Sequence, residues 1–195
     1  NCRDCPRMRA YQKQNRISFP EYWNRPVPGM GPASRLTILG LAPGLHGANK
    51  TGQPFTGDAS GELLFRVLDQ LAIKDQVRIT NVVKCAPPQN KPLTSERKNC
   101  QKFLSEEIGI LTQSDTPQVV LCLGRIAHEE LLRCLSRRIS DYPFFHGAVH
   151  QPKDNLHLVD SFHCSRYNIQ TNRLTEPMFR SAVQCAANIA QLNLS

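Results

Sequence analysis

Short apolar runs alternate with amphipathic stretches along most of this chain, and the alternation occurs four times. The run Leu36-Thr37-Ile38-Leu39-Gly40 is too short for a helix and reads as a buried strand. Residues 59–73 then place Leu63, Leu64, Val67, Leu68 and Leu71 on one helical face. A second strand is predicted over 78–83. It leads to a helix over 95–111 with Phe103, Leu104, Ile108 and Leu111 inward. A third strand, 118–123, leads to a helix over about 125–138 that carries Ala127, Leu131, Cys134 and Leu135. The fourth strand is 155–159. The last helix, about 175–192, buries Phe179, Ala182, Val183, Ala186 and Ile189. Ahead of all this, the first thirty-four residues read as a polar, Pro- and Arg-rich lead segment without an assigned element.

Strand–helix alternation predicts an α/β fold: a mostly parallel four-stranded sheet with helices on both faces and right-handed crossovers. No internal repeat or composition shift divides the chain, so a single domain over 1–195 is expected. Ligands of such sheets sit beyond the carboxyl ends of the strands. Chemistry is therefore to be sought in the loops 41–58, 84–94, 124–125 and 160–174.

Composition adds a direction. At 195 residues, 40% hydrophobic and 21% charged, the chain is ordinary globular material. Its net charge of +8 favours a polyanionic partner, although a generic basic surface is the plain alternative. No apolar run approaches bilayer-spanning length, and the N-terminus lacks the apolar stretch of a signal peptide. The expected location is the cytoplasm, with the nucleoid if the cell is bacterial or archaeal. The first residue is not Met, which leaves room for an upstream segment. No apolar surface stripe calls for a dimer, so a monomer is expected.

Eight cysteines in a reducing compartment point away from disulfides and toward metal ligation, catalysis or burial. Cys2 and Cys5 form a C-x-x-C pair, Cys85 follows the second strand, and Cys100 lies beyond a Pro-rich loop. Zinc sites normally use two short pairs and only one is present; iron–sulfur sites accept scattered thiolates. Spacing alone leaves cluster, zinc and simple burial open. Cys122, Cys134 and Cys185 sit in apolar patterns as small hydrophobes, and Cys164 is not read as reactive.

The loop from Gly40 to Asp58 holds glycines that let backbone approach a ligand, but it matches neither common nucleotide-binding fingerprint. Asp58 directly precedes a helix, where an N-cap role is the bland reading, compatible with catalysis. Asn81 interrupts a β-branched strand. It is either a satisfied core amide or a reader of a planar, amide-like base edge. His163 lies just past the fourth strand, and Arg166 and Tyr167 after it suit phosphate contact or insertion into a base stack.

The long pattern Gly-Leu-Ala-Pro-Gly…His-Gly-Ala-Asn…Thr-Gly…Phe-Thr-Gly-Asp over Gly40–Asp58 and the segment His-Cys-Ser-Arg-Tyr-Asn over His163–Asn168 resemble the family-5 (B-type) uracil-DNA glycosylases, as do Asn81 and the four cysteines. Leu41 stands where the related family-4 enzymes carry an acidic residue after the first glycine, so the likeness is to family 5. The resemblance implies a three-layer α/β/α sandwich and a [4Fe–4S] cluster on Cys2, Cys5, Cys85 and Cys100. It also implies action on uracil and other deaminated bases such as hypoxanthine, in double- or single-stranded DNA.

On this reading the target base is flipped from the duplex. Phe55 stacks on the extruded ring, Asn81 bonds its edge, and backbone near Leu41 and Ala42 lines the pocket. His163 donates toward the base oxygen. Asp58 stabilises the cationic sugar and orients or activates water. Arg166 and Tyr167 hold the duplex open, and Asn49 and Lys50 are expected at the DNA. The cluster is expected to pin the lead segment and to shape a basic DNA-facing loop around Lys84, Lys91, Arg97 and Lys98.

Two rivals differ in class. A zinc deaminase is suggested by His128-Glu129-Glu130, but the order of motifs is wrong for that signature. A non-catalytic DNA-binding or redox-sensing module would use the cluster as a switch and lack polar groups in a pocket.

Overall fold

A computed structural model describes residues 2–194, leaving outside it Asn1 and Ser195, the two ends of the expected 1–195 domain. Five strands run β1 (Leu36–Gly40), β2 (Arg78–Asn81), β3 (Gln118–Leu123), β4 (Val149–Lys153) and β5 (Leu156–Ser161). The helices are α1 (Pro6–Ser18), α2 (Ala48–Thr51), α3 (Ala59–Gln70), α4 (Thr94–Leu111), α5 (Arg125–Cys134), α6 (Arg166–Gln170) and α7 (Glu176–Ile189). They form one sheet of order β2-β1-β3-β5-β4. Its β1, β2, β3 and β5 are parallel, and β4 lies antiparallel on the edge beside β5.

Alternate residues of each central strand feed opposite cores. Ile38, Leu121 and Val159 pack with α3 and α7 on one face. Leu39, Val120 and Leu158 pack with α4, α5 and Met8 of α1 on the other. Burial on both faces explains why these strands read as unbroken apolar runs.

Two elements correct the sequence reading. The sheet has a fifth strand, β4, whose mostly exposed residues and Pro152 suit only an edge, so no apolar run marked it. The lead segment contains helix α1, opened by Pro6 at its first position, where a missing N–H costs nothing. Only Met8 and Asn15 of α1 are buried, so it shows no apolar face. Its docking is polar: Arg7 pairs with Glu96 at 2.6 Å and also donates to the Lys91 carbonyl.

The strand order reverses at β1, which pairs with β2 on one side and β3 on the other. At such a switch point neighbouring loops diverge and leave a crevice at the strands' carboxyl ends.

Candidate active site

That crevice holds a cavity of about 350 Å³. Leu41, Ala42, Phe55, Asp58, Asn81 and His163 all line it, so loops after β1, β2 and β5 converge as expected.

Asp58 caps α3: its Oδ1 accepts from the Gly61 N–H at 2.9 Å, and its backbone is extended at φ −143° and ψ 166°. The cap fixes the carboxylate and places it at the positive end of the helix dipole. Its other oxygen, Oδ2, faces Gly44 and Gly47. One oxygen is thus structural and the second is available to the cavity.

His163 sits across from this carboxylate, its imidazole held below the usual pKa by burial and partly restored by the Asp58 charge. At neutral pH it is therefore an uncharged donor. Its backbone carbonyl accepts from Asn168 Nδ2 at 2.8 Å, which anchors the loop after β5. Its ring lies 6.2 Å from that of Phe55, tilted by 31°.

Phe55 adopts φ +57° and is 7% exposed. Its ring fits against the end of β1 because residue 40 is glycine: a Cβ there would come within 2.6 Å of the ring and collide with Asn81 Oδ1. Asn81 is 4% exposed, yet among the described residues no side-chain partner holds its amide. Only its backbone carbonyl is engaged, accepting from Lys84 Nζ at 2.8 Å. The satisfied-core reading of Asn81 therefore gives way to an amide offered to the cavity.

Asn90 and Ser165 also line the cavity and were missed in the sequence. Asn90 sits in a Pro-flanked turn at φ +56°, and its Oδ1 accepts from the Leu45 N–H at 3.3 Å. Asn tolerates that backbone region, and an Asn between prolines is the signal that marked such a turn.

Several residues assigned to DNA lie elsewhere. Asn49 is fully buried, and its Nδ2 donates to Asn24 Oδ1 at 2.9 Å, so it ties α2 to the lead segment. Lys84 is 8% exposed, and its Nζ is held by Thr80 Oγ1, the Asn81 carbonyl and Glu107. Arg97 pairs with Glu130 at 2.8 Å. Lys50, Lys91, Lys98 and Arg166 are exposed, and Tyr167 is 71% exposed, so these remain free to meet a polyanion.

A second cavity, of about 440 Å³, is lined by Cys2, Cys5, Cys85 and Cys100. The Lys84 N–H donates to Cys100 Sγ at 3.4 Å and Asn99 Nδ2 to Cys5 Sγ at 3.6 Å. Burial pushes the Cys85 thiol up to about 12 and raises that of Cys100. Cys164, next to His163 but outside the cavity lining, is also pushed up to about 12 by burial and donates to the Ser60 carbonyl, in keeping with an inert role. Among the described residues, three potential ligand atoms come within 4.8 Å of one another at His128, His150 and Asp160. No cysteine belongs to that set, so the deaminase pattern has no counterpart in space. Among the described residues, no helix is long and apolar enough to cross a membrane.

Residues 28–186 match the family described as the uracil DNA glycosylase superfamily. The type-5 uracil-DNA glycosylase of Thermus thermophilus is 40% identical, over 98% of this chain and 94% of that protein. That of Pyrobaculum aerophilum is 35% identical, over 96% and 88%. A type-4 uracil-DNA glycosylase of Sulfurisphaera tokodaii is 38% identical over a shorter span, 82% of this chain and 74% of its own. The first two likenesses run through both cores and every loop of the crevice, and by them the chain belongs to the uracil DNA glycosylase superfamily, in its type-5 branch.

Proposed function

We propose that this chain flips uracil out of DNA and hydrolyses its N-glycosidic bond, leaving an abasic site and opening base excision repair. One observation carries the reading: a fixed carboxylate, an uncharged imidazole and an unengaged amide meet in one cavity beside an aromatic ring.

Breaking the bond leaves positive charge on the sugar and negative charge on the base. Asp58 Oδ2 opposes the first and holds the attacking water; His163 donates to the base oxygen where the second develops. Phe55 supplies a face for the extruded ring. The Asn81 amide offers a donor beside an acceptor. The uracil edge presents a carbonyl beside an N–H and pairs with both; cytosine presents the reverse order, which the amide meets only by flipping. Hypoxanthine carries the same carbonyl and N–H order, which supports deaminated bases in general as substrates. Arg166 and Tyr167, exposed on α6 next to the lining residue Ser165, are positioned to occupy the gap in the duplex. The chain acts as one catalytic unit.

Cys2, Cys5, Cys85 and Cys100 would hold a [4Fe–4S] cluster, which supplies a cross-link between α1, the loop after β2 and α4. The fit rests on four thiols around one cavity and N–H groups aimed at two of them. A tetrahedral zinc site draws its sulfurs to within about 4 Å of one another. Here one short C-x-x-C pair joins two scattered cysteines, a spacing that suits a cluster better than a zinc site.

A labelled duplex with a single uracil tests the activity, with cytosine and hypoxanthine duplexes beside it. Alkali-labile abasic product from uracil and hypoxanthine, and none from cytosine, is the expected result. Tight binding with no product would return the chain to the class of DNA-binding modules.

A further inference from the structure

The segment after α1 makes contacts that the reading above leaves unused. Its backbone is tied to α2, with the Trp23 N–H donating to the Lys50 carbonyl at 3.2 Å and the Asn24 N–H to the Asn49 carbonyl at 3.3 Å. The buried Asn49–Asn24 side-chain bond reinforces that seam. Because Ala48, the first residue of α2, lines the active-site cavity, this segment forms an extension of the cavity wall.

Two aromatic rings stand on the extension, each with a cation over it. Tyr22 stacks on Phe19 at 4.8 Å, bonds His46 Nδ1 through its hydroxyl at 3.1 Å, and lies under Lys50 Nζ at 5.6 Å. Trp23 is 42% exposed, its indole N–H donates to the Pro26 carbonyl at 3.0 Å, and Arg25 lies 5.5 Å over its ring. The inner face of the indole rests on Gly52, where a Cβ would come within 2.9 Å of it. The rings are thus held from behind, and the cations in front of them are long, exposed side chains that an entering base can displace toward its phosphate. Glu21 is the one acidic residue between Phe19 and Arg25, so the patch is net positive.

Aromatic faces beside cations are the chemistry of single-stranded nucleic acid, because every base has a π-face and every link a phosphate. We propose that Tyr22 and Trp23, with Arg25 and Lys50, form a stacking platform for unpaired DNA flanking the target nucleotide. The proposal rests on the glycosylase reading for its ligand. It adds that uracil in a single strand gains a contact that a fully paired flank cannot make.

Trp23 is the sole tryptophan, so the intrinsic indole fluorescence of the full chain is its own. The probe is a uracil-free single-stranded oligothymidylate, with a paired duplex of equal length beside it. The single strand is expected to quench Trp23 fluorescence at saturation and the duplex to quench it less. Tyr22→Ala and Trp23→Phe, the second preserving the packing on Gly52, separate stacking from folding. A base stack lost to Ala weakens single-strand affinity about tenfold, with a smaller loss for Phe. Lys50→Ala is expected to reduce the slope of log affinity against log salt by about one. Unchanged fluorescence at saturation, or single-strand affinity of Tyr22→Ala within about twofold of wild type, overturns the platform. Uracil excision by the wild-type chain is scored separately, so loss of the glycosylase reading and loss of the platform give different results.

Discussion

His128 Nδ1 lies 3.0 Å from Asp160 Oδ1 and 2.9 Å from Oδ2, with both side chains wholly out of solvent. The other ring nitrogen, Nε2, lies 2.9 Å from the Tyr142 carbonyl and must carry a proton to bond it. The contact between Nδ1 and the carboxyl therefore needs one further proton, shared between the two groups. The pair ties α5 to the end of β5, three residues before His163. Breaking a buried pair from one side leaves the other group uncompensated, at about 3–5 kcal/mol. Asp160→Ala and His128→Leu are each expected to lose that much in chemical denaturation. The double variant replaces both partners with apolar groups and is expected to recover most of it. Losses that simply add would show that the pair is not coupled.

Asp58 caps α3 with Oδ1, and the proposed reaction would use Oδ2, so the two roles are separable. Asn caps a helix about as well as Asp, whereas Ala loses about 0.5–2 kcal/mol. Asp58→Asn is therefore expected to melt like wild type, and Asp58→Ala to melt lower. Both lose the charge opposite the sugar, and single-turnover excision should fall at least a hundredfold in each. Wild-type excision by either variant, with DNA binding unchanged, would remove Asp58 from the reaction.

How far the sequence exposes this arrangement depends on what each residue packs against. Ile38, Leu121 and Val159 announce themselves because a strand buried on both faces is apolar throughout. Asn81 and His163 are visible because polar groups at strand ends interrupt that pattern, and Asp58 because it directly precedes a helix. Helix α1 is not visible, since its docking is carried by the Arg7–Glu96 pair rather than an apolar stripe. Lys84 and Asn49 mislead for a related reason: polar side chains satisfied by long-range partners look like exposed ones in a sequence. The comparisons supply the family, and only the three-dimensional arrangement shows that Asn90 reaches the cavity.

The His163 imidazole is held below its ordinary pKa by burial, against the opposing pull of Asp58. A depressed histidine leaves stability intact above the unfolded value near 6.5. Stability is then lost as pH falls from there through the folded pKa, because the unfolded chain takes up the proton first. His146 is depressed by burial as well and adds to the same slope. Denaturant midpoints should hold from pH 8 to about 6.5 and decline toward pH 5. His163→Gln should show a shallower decline, by at most about 1.4 kcal/mol per pH unit over the titration. An identical slope in the variant would mean that His163 does not titrate in this window.

The four cysteines lie around one cavity between α1, the loop after β2 and α4, so loss of one ligand of the proposed cluster should be felt across all three. Cys100→Ser is expected to lose visible absorbance and bound iron and sulfide. Proteolytic cleavage within residues 2–26 should rise, since α1 otherwise leans on the Arg7–Glu96 pair and the single buried apolar side chain Met8. Cys185→Ser, on α7 and away from that cavity, should keep the full complement. Undiminished iron in Cys100→Ser would remove Cys100 from the ligand set.

Gly40 offers a test of the base-reading geometry that touches no reacting group. A methyl at this position would collide with Asn81 Oδ1 and come within 2.6 Å of the Phe55 ring. Phe55 cannot retreat, because its ring belongs to the core packed by α3 and its backbone is already at φ +57°. Asn81 is the softer partner, with no side-chain bond to hold it, so the amide should rotate away from its orientation toward the base. Overpacking of this size destabilises by about 1–3 kcal/mol, which leaves a folded protein to assay. Gly40→Ala is therefore expected to remain folded and to lose uracil excision about a hundredfold or more. That loss corresponds to the about 2.7 kcal/mol or more typical of a misplaced polar donor. On the proposed reading the discrimination between uracil and cytosine should shrink with it, since the amide would no longer face the base. A folded Gly40→Ala protein with wild-type rate and wild-type discrimination would show that Asn81 does not read the base.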